Sequence, residues 1–186
     1  MDLRQSLVQY YRWLRQYGLN DSHSGNASVR SGEAFWITPT GACADTLTTD
    51  DLIHGQLEAP APDGASLDAP LHQAVYRANP AATAILHSHG PYSISMTFDG
   101  RDFTPVDFEG QFYFDRIPVL DISLEDYLAD SPGRVAAELA ERPAAVVRGH
   151  GVYVCAESLD RAYKWTCSFE SSARLAWLVR GVRSEE

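Results

Sequence analysis

The chain has 186 residues, 45% apolar and 22% charged, the proportions of an ordinary globular protein. Fifteen basic against 25 acidic residues give a formal net charge of −10, which argues against nucleic acid or an anionic membrane as a partner. An anionic small molecule stays open, because backbone N–H groups and a metal can supply local positive field.

At this length a single domain with one substantial core is expected over residues 1–186. No apolar run approaches the roughly 18 residues that cross a bilayer. The opening Met1-Asp2-Leu3-Arg4-Gln5-Ser6 has no apolar signal region, so a cytoplasmic location is expected. Cys43, Cys155 and Cys167 are far apart with no C-x-x-C, which reads as reduced, mostly buried thiols.

Taken in order, Leu3, Leu7, Tyr10, Tyr11, Leu14 and Tyr17 follow a one-sided helical spacing, with Gly18 as its stop. Ser22 to Arg30 is a small polar loop leading into a short strand, and Ala34 to Thr38 is a second strand ended by Pro39. Glu58 to Ala65 is a surface loop. A helix opens near Ser66-Leu67-Asp68, tolerates Pro70 in its first turn and ends at Asn79-Pro80. Asp68 at its start reads simply as a cap unless something else engages it.

Ala84 to Leu86 is a buried strand running into His87-Ser88-His89, stopped by Gly90-Pro91. Tyr92 to Phe98 reads as a short helix. Phe103 to Phe114 is aromatic-rich and ambiguous; as a strand it would place Glu109 and Gln111 on one face. Ile117 to Leu120 is a strand, Arg134 to Arg142 a helix, and Ala144 to Val147 a buried strand. His150 sits between Gly149 and Gly151 in a turn before the strand Val152–Val154, and Ser158 opens a helix to about Arg180.

Residues two apart on a strand share a face, so His87 and His89 project together. Alone, that pair reads equally well as one packed and one exposed histidine. With His150 at another turn, three imidazoles and an open position suit a catalytic divalent metal, with Asp68 nearby. His72, one turn after Asp68, is expected to hydrogen-bond locally; His23 and His54 match no ligand spacing and are expected to face solvent.

The series Gly25-Asn26-Ala27-Ser28-Val29-Arg30, Ile37-Thr38-Pro39-Thr40-Gly41, Ser66-x-Asp68-x-x-x-His72, His87-Ser88-His89 and His150-Gly151 resembles the class II aldolase family. That family spans fuculose- and rhamnulose-phosphate aldolases, ribulose-phosphate 4-epimerases, methylthioribulose-phosphate dehydratases, 3-oxo-acid-phosphate decarboxylases and the non-catalytic adducin head. The resemblance implies a three-layer α/β/α domain with a mainly antiparallel central sheet, and a homotetramer with interfacial active sites. It implies a divalent metal held by His87, His89 and His150, zinc first, with Mn²⁺, Fe²⁺ or Co²⁺ as alternatives. Asp68 stands in the place of the catalytic acid, and Asn26, Thr40, Gly41 and Ser66 would meet the substrate phosphate.

The implied activity is cleavage of a small phosphorylated ketose, in which the metal stabilises the enediolate left by bond breakage. Epimerisation, decarboxylation and dehydration are variants of the same chemistry, and a metal-free scaffold is the alternative of another class. Two departures stand out. Leu67 replaces the second of two hydroxyl residues before the acid, and Pro118-Val119-Leu120 lacks the aldolase tyrosine. Glu109 and Tyr113 are the substitute candidates for proton transfer, and with Glu186 as the last residue the epimerase tail is expected to be missing.

Overall fold

The computed structural model describes residues 2–183. The first apolar stripe forms α1 (Leu3–Gln16), which buries Leu7, Val8, Tyr11 and Leu14; the Asp2 side chain accepts from the Arg4 N–H at its start. Three antiparallel strands follow: β1 (Asn26–Ser31), β2 (Ala34–Ile37) and β3 (Ile53–Gln56). The strand β3 has no counterpart in the sequence reading. After α2 (Ala69–Ala78) the chain enters β4 (Ala84–Ser88), buried along its whole length. The remaining elements are α3 (Pro91–Met96), α4 (Phe108–Tyr113), β5 (Val119–Leu120), α5 (Tyr127–Glu141), β6 (Ala144–Val147), β7 (Gly151–Ala156) and α6 (Leu159–Arg183).

The seven strands form one sheet in the order β3-β2-β1-β4-β7-β6-β5. Every pairing is antiparallel except β5 with β6, so the sheet is mixed but mainly antiparallel, as the resemblance implies. Its faces bury separate apolar clusters, because alternate residues of a strand point to opposite sides. Ala84 and Leu86 of β4 join Leu14 of α1 and Phe169 of α6, whereas Ile85 joins Val75 of α2 and Leu139 of α5.

One ambiguity is resolved and one boundary is corrected. The stretch around Glu109, left open by the sequence, is a helix and not a strand: Asp107 accepts from the Gly110 N–H at 3.0 Å, and this cap starts α4. Gly110 lies where a Cβ would come within 2.7 Å of both Pro105 and Ser172, which fixes the side the helix turns inward. The fifth helix begins at Tyr127, seven residues before Arg134. The Ser123 hydroxyl donates to the Asp126 carboxylate at 2.6 Å and accepts from the Asp126 N–H at 3.1 Å, so a turn forms ahead of Pro132 and the helix carries that proline inside it. All three cysteines are free. Among the described residues no helix is long and apolar enough to cross a membrane.

Candidate metal centre

The register of three adjacent strands builds the site. Asn26 of β1 and Tyr153 of β7 both lie opposite His87 of β4. Directly opposed residues share a face, so Asn26, His87 and Tyr153 form a row across the sheet. The Tyr153 ring stacks on the His87 imidazole, with centroids 4.0 Å apart and planes within 1°. His89 follows two residues later, just past the strand. His150 comes from the three-residue loop joining β6 to β7, where Gly149 takes a φ of +67° that a side chain would resist.

His87, His89 and His150 thereby converge, with potential ligand atoms all within 4.8 Å of one another. The His87 Nδ1–H donates to the Val152 carbonyl at 3.0 Å, which leaves Nε2 with a free lone pair. That nitrogen lies 2.9 Å from His89 Nε2. Two bare lone pairs at this spacing repel, so the contact calls for a proton or a cation between them. Burial pushes all three imidazoles toward their neutral form, His89 to about 4. Three neutral, convergent imidazoles are the donor set that a first-row divalent ion takes, so the residues fit such a metal.

The backbone supports this geometry. The His89 N–H donates to the Leu19 carbonyl and the Asn20 side-chain carbonyl, each at 2.8 Å. Gly151 has no room for a side chain, since a Cβ there would stand 2.6 Å from His87 Cε1 and 2.8 Å from His89 Cδ2.

Asp68 occupies the N-cap position of α2 but makes no side-chain cap bond. Its carboxylate, only 6% exposed, faces the row of site residues instead. Oδ2 accepts from Asn26 Nδ2 at 2.7 Å and from the Tyr153 hydroxyl at 2.8 Å; Oδ1 accepts from the Tyr127 hydroxyl at 2.7 Å. His87 Nε2 is 3.9 Å from Oδ2. Burial alone would raise this carboxyl's pKa; the electrostatic pull of the adjacent His87 ring and the bonds from Tyr127 and Asn26 outweigh it and hold the group down at about 2. Asp68 is therefore an ionised carboxylate beside the triad.

A cleft of about 200 Å³ opens onto this group, lined by Thr40, Gly41, Ser66, Asp68, Tyr127 and His150 among others. Asn26 lies behind it, bonded to Asp68. The expected phosphate contacts thus come together with the triad. Within one chain Glu109 and Tyr113 do not: Glu109 is exposed on α4, and Tyr113 packs beneath Lys164 Nζ, 4.5 Å from its ring, lining a separate cavity with Trp165. His72 is fully buried, its Nδ1 paired at 2.6 Å with Ser28 Oγ of β1, 44 residues away, so its side-chain bond runs across to the sheet and not to its own helix turn as expected. His54, against Trp36, and His23 are both exposed, as expected, and His23 also lines the cleft.

Sequence reasoning missed Tyr127, Tyr153 and Asn20. Tyr153 was legible in principle as the one polar-tipped residue in an otherwise small and apolar strand. Tyr127 lay outside the expected helix, and its bond to Asp68 spans 59 residues.

The profile of the Class II Aldolase and Adducin N-terminal domain matches residues 5–177. The chain belongs to that family. The L-fuculose-1-phosphate aldolase of Thermus thermophilus shares the fold with a TM-score of 0.93 and 32% identity, over 99% of this chain and 97% of that one. A methylthioribulose-1-phosphate dehydratase of Gluconacetobacter diazotrophicus is 32% identical, over 85% of this chain and 84% of its own length. A 5-methylthioribulose-1-phosphate/5-deoxyribulose-1-phosphate aldolase of Rhodospirillum rubrum is 26% identical, over 99% and 84%. The homologues are thus enzymes, and they include aldolases, dehydratases and decarboxylases. The class II aldolase family is metal-dependent, and the three-histidine group of this chain could bind a metal.

Proposed function

We propose that this chain is a metal-dependent aldolase that cleaves a small phosphorylated ketose. The observation that carries this reading is the convergence of three neutral imidazoles beside an ionised, buried Asp68 at the wall of an open cleft. The near full-length likeness to a fuculose-phosphate aldolase favours cleavage over the other reactions of the family. His87, His89 and His150 would hold the metal, zinc in the first instance. A bound divalent ion would supply Lewis acidity toward a substrate carbonyl and charge stabilisation worth several kcal/mol.

The remaining work falls to the chain's own groups. Asp68 takes a proton from a substrate hydroxyl or returns one to carbon, a step worth roughly 10²- to 10⁴-fold. Thr40, Gly41 and Ser66 line the cleft and receive the anionic end through hydroxyl and backbone donors, while Asn26, expected among them, stands behind with its amide on Asp68. Among the described residues no Lys or Arg lines the cleft, so the donors that one chain offers a phosphate there are neutral groups. Leu67, 68% exposed at the cleft, adds an apolar wall instead of a further donor.

Self-association is part of this reading. Phe108 and Phe112 on α4 are 87% and 76% exposed, and Trp177 on α6 is 52% exposed. Such rings are large apolar surface for a second copy to cover, in keeping with a homotetramer in the cytoplasm. Glu109 lies between the two α4 phenylalanines and would act, if at all, across that interface; Tyr113 is on the same short helix.

The test is incubation of the metal-loaded protein with ketose phosphates and free ketoses, scored for carbon–carbon cleavage, epimerisation, loss of water and release of CO₂. Cleavage of a phosphorylated ketose is expected. Products that keep every carbon, or that lose only CO₂, would end the aldolase reading; loss of water alone would favour the dehydratase reaction of the relative at 32% identity.

A further inference from the structure

We propose that Tyr127 and Tyr153 are positioning residues that hold Asp68 off the metal, keeping its carboxylate free for proton transfer. This inference rests on the three-histidine metal reading above.

Asp68 is placed where it could become a fourth ligand. Its Oδ2 is 3.9 Å from His87 Nε2, and a buried carboxylate beside a divalent cation is drawn toward it. Yet the cluster whose ligand atoms come together consists of the three histidines without Asp68. Hydrogen bonds hold the carboxylate back. Each oxygen takes a tyrosine hydroxyl, Oδ1 from Tyr127 and Oδ2 from Tyr153, and Oδ2 also takes the Asn26 amide. The two hydroxyl oxygens are also in contact; with both protons given to Asp68, the carboxylate is what holds them together, so the two tyrosines and Asp68 are positioned as one braced group.

Both tyrosines are rigidly seated. The Tyr153 ring lies flat on His87, and the Tyr127 ring meets His150 edge-on at 4.8 Å. Tyr153 is fully buried, while Tyr127 lines the cleft. Each tyrosine therefore packs against a histidine ligand with its ring and restrains Asp68 with its hydroxyl. Moving Asp68 toward the imidazoles would break bonds at both oxygens, in a buried place where unpaired polar groups are costly.

Tyr127→Phe/Tyr153→Phe removes the hydroxyls and keeps the rings. The test titrates Co²⁺ into the wild type, this double variant, Asp68→Asn and the triple variant, reading affinity and the visible absorption that reports coordination number. The folded state of each is checked by circular dichroism and thermal unfolding. The double variant is expected to bind Co²⁺ roughly tenfold more tightly, with weaker absorption as Asp68 joins the ligands. In the Asp68→Asn background the same tyrosine changes should leave affinity and spectrum where they were. Wild type that binds stoichiometric Co²⁺, with a folded double variant of unaltered affinity and spectrum, would overturn the brace and leave the metal reading standing. The same holds if the change persists without Asp68. Wild type that takes up no stoichiometric Co²⁺ would overturn both.

Discussion

Residues 84–89 and residues 108–114 are both short and rich in aromatic or apolar side chains, and they behave oppositely. The first runs through the middle of the sheet, with β1 on one side and β7 on the other, and is buried on both faces. Its register cannot slip without moving every side chain to the wrong face, so His87 is held beside Asn26 and Tyr153. The second lies away from the sheet, where no ladder constrains it. There a single cap from Asp107 decides for helix, and the helix leaves Phe108 and Phe112 largely uncovered. Period-2 reasoning works where neighbours on both sides enforce it and fails where a local cap competes unopposed.

The comparison is most exposed to test at the triad. His87→Asn or His150→Ala should weaken Zn²⁺ or Co²⁺ binding beyond the roughly 10- to 100-fold typical of outer partners, measured by competition with a chelator. Equal loss on mutating Glu109 would reverse the contrast between the two stretches. Asp68→Asn should keep the metal and lower turnover roughly 10²- to 10⁴-fold, measured on whichever ketose phosphate the wild type cleaves.

Two further changes probe the supports. His72 is pushed down to about 4 by burial, against which Asp68 pulls weakly upward. The unfolded chain therefore binds this proton first as pH falls. The stability it contributes is fully present above pH ~6.5 and is lost as pH drops toward 4, by about 3 kcal/mol. Urea titrations across that range should show a shallower pH dependence for metal-free His72→Gln than for the metal-free wild type. Gly151→Ala places a Cβ 2.6 Å from His87 Cε1 and should cost about 1–3 kcal/mol by overpacking, with weaker metal binding alongside. The smallest effect belongs to the second stretch: Glu109→Gln, exposed on α4, should shift stability by no more than about 0.5 kcal/mol. Its effect on turnover reports separately whether it acts across an interface.

Much of the site was legible because it is written in local pattern. His87-Ser88-His89 after a three-residue apolar run fixes two imidazoles on one face, and Gly149-His150-Gly151 marks a turn with room beside it. Asp68 was legible as a helix start, but its role was not, since capping and catalysis call for the same residue at the same place. Only the contacts separate them: the carboxylate makes no cap bond and takes three donors from β1, β7 and α5.

The sequence alone determined most of the strands and helices, the buried centre of the sheet and the identity of the three imidazoles, because those follow from side-chain periodicity and from turns a few residues long; β3 and the start of α5 escaped it. Tertiary structure decided which groups surround Asp68, that α4 is a helix, and that Tyr127 reaches the cleft. These depend on register between strands distant in sequence and on caps whose strength is felt only once a neighbouring surface is, or is not, there to compete. Periodicity is a property of one segment, whereas a hydrogen bond between residues 59 or 85 apart in the chain exists only after the segments have met.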